Sequence, residues 1–90
     1  MPSYLVETYL ARGSTGERAV REQRARTAAE ALTRKRTRVR FAQSIHVPED
    51  ELCFFVFEAP SRTDAALAAQ LAGLDPIRVV EAISSRKEER

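Results

Sequence analysis

The run Leu52-Cys53-Phe54-Phe55-Val56-Phe57 constrains the fold of this chain more than any other feature. Its aromatic and β-branched residues favour a strand, in which successive side chains point to opposite faces. Phe55 and Phe57 then lie on one side and Phe54 and Val56 on the other, so the strand is apolar on both. A sheet built around it needs a cover on each face.

The rest of the chain supplies one cover. Tyr4-Leu5-Val6-Glu7-Thr8-Tyr9-Leu10 reads as a strand that ends at Arg12-Gly13. Ser14-Thr15-Gly16-Glu17 has the capping-box spacing, and a helix follows to about Leu32, with a thin inward stripe of Val20, Thr27, Ala28 and Ala31 broken by Arg24. Val39–Val47 alternates with period two, and the polar turn Pro48-Glu49-Asp50-Glu51 leads into Leu52–Ala59, which makes a hairpin. Ser61, with Asp64 three residues on, starts a second helix that buries Leu67, Ala68 and Leu71 and stops at Gly73; Ile77–Ile83 is the last strand. The polar stretch from 84 to 90 reads as a frayed tail.

The element order is therefore βαββαβ. This is an α+β, ferredoxin-like domain spanning residues 1–90, with a four-stranded antiparallel sheet and both helices on one face. Ninety residues bury only about 60% of the unfolded surface, and thin Ala-rich helices cannot cover an aromatic sheet twice. A second copy of the chain is the simplest cover for the other face, and two such sheets face to face make a dimeric α/β barrel.

Charge is distributed unevenly. The net charge of +2 combines ten Lys/Arg against four acids in residues 1–44 with five against nine in residues 45–90. The cations Arg18, Arg21, Arg24 and Arg26 spread around the first helix without interleaved aromatics, which argues against nucleic acid and for a solvated or subunit-pairing surface. The lone cysteine excludes an internal disulfide and suits a reducing compartment. The longest apolar run is six residues against the ~20 that span a bilayer, so the expectation is a cytoplasmic protein without a membrane partner.

Candidate chemistry is sparse. A turn at Pro48–Glu51 would set His46 opposite Cys53, about 5 Å apart at Cβ, close enough to share a soft metal or for the imidazole to deprotonate the thiol. The bland alternative is a half-buried histidine beside a buried cysteine. Glu7, Glu58 and Glu81 interrupt apolar strands and would serve as base or ligand if they faced a barrel interior, or pair with Arg40, Arg12 or Arg78 if structural. Tyr9 and Tyr4 read as supporting hydrogen-bond partners or interface aromatics. The ligand-binding candidates are Glu7, Tyr9, Arg40 and Glu58, and the metal candidates His46, Cys53 and Glu58.

Tyr4-Leu5-Val6-Glu7, Val47-Pro48-Glu49-Asp50-Glu51 with Cys53-Phe54, Phe57-Glu58-Ala59-Pro60-Ser61, Ala72-Gly73-Leu74 and Arg78-Val79-Val80-Glu81-Ala82 together resemble a bacterial family of small proteins of unknown function. That family includes an actinomycete nickel-binding protein. The resemblance implies a ferredoxin-like, dimeric α/β barrel, with nickel as a ligand of some members. Members that look metal-competent carry histidines where this chain has Gln43, before Ser44, and Ala68. No cofactor is read from the residues themselves. The function expected is a cytoplasmic homodimeric binding protein for a small molecule, or a metal such as nickel, in the barrel or dimer cleft. A cofactor-free lumen enzyme of monooxygenase, isomerase or cyclase type is the alternative, carried by fold analogy alone.

Overall fold

The computed structural model of the chain describes residues 1–83, and the tail from 84 to 90 lies outside the described residues. The elements are β1 (Ser3–Tyr9), α1 (Thr15–Arg34), β2 (Arg40–Val47), a single 3-10 turn (Pro48–Asp50), β3 (Leu52–Glu58), α2 (Arg62–Leu71) and β4 (Arg78–Ala82). The strands form one antiparallel sheet in the order β2-β3-β1-β4, the ferredoxin-like arrangement. Both helices cover the face that carries Tyr4, Val6, Cys53, Phe55 and Phe57.

The hairpin register follows from its turn. Pro48 opens the 3-10 turn, and Glu51 closes it in the left-handed region at φ 54°, its N–H bonded to the Pro48 carbonyl at 3.1 Å. Val47 then meets Leu52 and His46 meets Cys53. Strict alternation fails one turn back. The register slips between Phe41 and Gln43, so Ala42 is an extra residue opposite no partner. The bulge swaps the faces of the strand entry: Phe41 joins the core against Phe57, at 5.6 Å between ring centroids, and Arg40 goes to the other face beside Glu58.

Ala28 and Ala68 are buried as expected, but around them both helices present a face rotated from the expected one. Along α1 the buried stripe is Ala25, Ala28, Ala29 and Leu32, whereas Val20 is 55% exposed. The i, i+3, i+4, i+7 spacing puts three alanines and Leu32 on one face, the alanines let the backbone approach the sheet, and one exposed valine cannot outweigh that close packing. Along α2 the buried residues are Ala65, Ala68 and Ala69, while Leu67 and Leu71 stand in solvent for the same reason. The capping box at Ser14 does not form. Ser14 makes no side-chain cap and Glu17 is bonded instead by Arg21 at 3.1 Å, an i, i+4 pair. The Ser61 cap does form: its Oγ accepts from the Asp64 N–H at 3.2 Å. Gly73, at φ 69°, terminates that helix where expected, in a backbone conformation that favours glycine.

Candidate functional site

The uncovered face of the sheet gathers most of the candidate residues. Cross-strand register aligns Ile45, Phe54, Glu7 and Arg78 in one row and Gln43, Val56, Leu5 and Val80 in the next. Arg40, Glu58, Ser3 and Ala82 form a third row, and Val47, Leu52 and Tyr9 a fourth. The centre of this face is thus an apolar band of Leu5, Phe54, Val56, Ile45 and Val80. Neither helix touches it, and Ile45 is 43% exposed.

Two ion pairs sit at diagonally opposed corners of the band. Arg40 grips Glu58 with two parallel hydrogen bonds of 2.9 Å each. Arg78 Nε donates to Glu7 Oε1 at 2.8 Å. The Arg40 hydrogen bond holds the Glu58 carboxyl below the usual glutamate range, against the smaller opposing effect of burial, and Glu58 in turn holds Arg40 above its ordinary value. Each carboxylate therefore has a cation of its own. Tyr9 stands at the end of the same face, 57% exposed, with its hydroxyl 3.4 Å from the Glu51 carboxylate, at the long limit of a hydrogen bond. Glu81 departs from the other two glutamates: it is opposite Tyr4, on the helix side of edge strand β4, and is exposed.

His46 and Cys53 face each other across β2 and β3 on the helix-covered side, as the turn predicts. Cys53 is fully buried, and burial pushes its thiol up despite the nearby Arg18 and Arg21. His46 Nε2 is buried without a hydrogen-bond partner. Glu58 is not brought to these two; it lies at the far end of β3 and on the opposite face. Among the described residues, no three or more His, Cys, Asp and Glu side chains are grouped so as to hold a metal ion. Within one chain the donor set does not fit the nickel that the resemblance implies.

A polar cluster under α1 escaped the sequence reading. Arg18 donates through Nε to Ser44 Oγ at 2.9 Å and through Nη2 to the Ser44 carbonyl at 3.1 Å, and the Ser44 hydroxyl donates to Glu22. Arg21 reaches the Tyr9 carbonyl at 2.9 Å. These bonds fall in the amino-terminal half of α1, where Ala19 is the one alanine, and seat that half of the helix on β2 and on the end of β1. The i, i+4 spacing of Arg18 and Glu22 was the available signal, but their common target, Ser44, depends on how α1 docks on β2, which the hairpin register alone does not determine.

No protein-family model and no curated protein sequence matches the chain. Among solved structures, the crystal structure of SCO4226 from Streptomyces coelicolor is similar to it, with a TM-score of 0.69 and 20% sequence identity over 93% of this chain and 99% of that one. Likeness at that identity speaks for the fold alone: the chain shares a small ferredoxin-like α+β architecture with an actinomycete protein along nearly the whole length of both.

Proposed function

We propose that the protein is a cytoplasmic binding protein that works as a homodimer, two copies meeting through their uncovered sheet faces, with a small apolar organic molecule held in the chamber between them. One observation carries the reading: the second face of the sheet presents Leu5, Ile45, Phe54, Val56 and Val80 with no helix over them. Four strands spaced about 4.8 Å apart and five residues long give this face a footprint of roughly 300 Å², its centre apolar and its corners charged, the size of the largest patch on a typical monomer, which is often functional. The Arg40–Glu58 and Arg78–Glu7 pairs give the face both charge signs at two corners, which suits a self-complementary two-fold contact. Among the described residues no helix is long and apolar enough to cross a membrane.

Binding is favoured over catalysis by the state of the carboxylates. A general base works best with a pKa raised toward the operating pH, and Glu58 is shifted the other way by Arg40. Glu7 is engaged by Arg78. An organic ligand is favoured over nickel because the face offers apolar side chains and Gln43 rather than a set of imidazoles. The experiment is a titration with Nile red, an uncharged apolar dye. The reading predicts saturable binding that is lost in Phe54→Asp and kept in Leu67→Asp, which places the same charge on the helix side. Equal binding by the two variants, or none by the parent chain, overturns it.

A further inference from the structure

The carboxy-terminal half of α1 and the edge strand β2 line a groove of about 410 Å³, on the helix side of β2 and next to the Arg40 corner of the apolar band. Its helical wall is Arg26, Ala29, Glu30, Thr33 and Arg34, the i, i+3, i+4, i+7, i+8 stripe of one helix face. The floor is apolar, formed by the buried side chains of Ala29, Val39 and Phe41. The Arg26 guanidinium lies over the Phe41 ring, 5.5 Å from its centroid, and is held there by cation–π attraction. An adjoining hollow of about 290 Å³ shares Thr33, Val39 and Arg40 and adds Met1 and Arg38.

Charge in this groove is unbalanced. Arg40 is taken up by Glu58, but among the described residues Arg26, Arg34 and Arg38 form no ion pair. Glu30 is the one carboxylate among the described lining residues of both hollows. Planar guanidinium groups with free N–H edges match the paired oxygens of a phosphate or carboxylate, and an apolar floor accepts a flat hydrocarbon body. The carboxy end of a helix repels anions, so the arginines have to supply the attraction here.

We propose that this groove binds a small organic anion with a flat apolar body, an aryl phosphate or aryl carboxylate. A single-stranded nucleic acid is disfavoured because the groove holds one aromatic side chain, Phe41, where a strand needs a succession of aromatic platforms for its successive bases.

The test titrates the full chain by calorimetry with naphthyl phosphate, naphthoate, inorganic phosphate and an oligothymidine, and maps the site by amide NMR shifts. The expected result is saturable binding of at least one aryl anion, about tenfold or more tighter than inorganic phosphate, with shifts confined to the segment from Arg26 to Phe41. Arg34→Gln is exposed and without a structural partner among the described residues, so it should fold normally and weaken binding about tenfold, the loss of one charge-assisted contact. Arg62→Gln, at the exposed start of α2, should leave binding unchanged. The tighter of the two aryl anions identifies the head group. Overturning results are no saturation by either aryl anion, inorganic phosphate binding as tightly, equal weakening by Arg62→Gln, or oligothymidine outcompeting both.

Discussion

The Arg40–Glu58 pair can be tested quantitatively, because its worth depends on the bulge at Ala42 that places Arg40 on the open face. Both hydrogen bonds are 2.9 Å and parallel, the favourable geometry for a guanidinium and a carboxylate. The side chains are 63% and 30% exposed, so solvent screens most of the attraction and the coupling energy should be about 0.5–1 kcal/mol. Against a total stability of roughly 5–13 kcal/mol for a chain of this size, that is visible but not decisive. The assay is a double-mutant cycle with Glu58→Gln and Arg40→Gln, read by urea unfolding at fixed protein concentration. The pH dependence follows from the direction of the Glu58 shift. A carboxyl lowered in the folded state stabilises above its unfolded pKa of about 4.3, and that stabilisation disappears as pH falls through the lower folded value. The gap between the parent chain and Glu58→Gln should therefore be full at pH 7 and begin to close below about pH 4. Zero coupling at neutral pH, or a gap that persists undiminished in strong acid, would refute the pairing.

Other outcomes follow from the core and the helix-covered side. Phe57→Ala removes a fully buried ring packed on Phe41 and should cost about 3–5 kcal/mol, lowering the urea midpoint without changing the slope. His46→Phe replaces a buried nitrogen that has no partner and should leave stability equal or raise it by about 1 kcal/mol in the same assay; a loss of that size contradicts the unpartnered geometry. Cys53, fully buried and with its thiol pushed up, should react with a thiol reagent only as fast as the chain opens; labelling that ignores added denaturant contradicts its burial.

The topology and hairpin register are legible from local chemistry. Pro48 and a four-residue turn determine which residues face each other, and His46 opposite Cys53 follows without tertiary information. Helix orientation is not legible in the same way. In α1 and α2 alanines occupy several faces, so the buried stripe is chosen by how closely the backbone can approach the sheet rather than by side-chain hydrophobicity. The bulge at Ala42 is likewise silent in a period-two pattern, yet it decides that Phe41 enters the core and that Arg40 meets Glu58. Glu7 and Glu58 could be nominated from their interruption of apolar strands. Arg40 and Arg78 could be nominated as partners together with Arg12, but which arginine meets which glutamate required the register of all four strands.

Sedimentation equilibrium on the parent chain beside Phe54→Asp tests the central claim, that a second copy covers the open face of the sheet. The chain mass is 10.1 kDa. The account predicts twice that mass for the parent at micromolar concentration and the single-chain mass for Phe54→Asp, with unchanged circular dichroism. A parent that sediments as one chain, or a variant that remains paired, contradicts it.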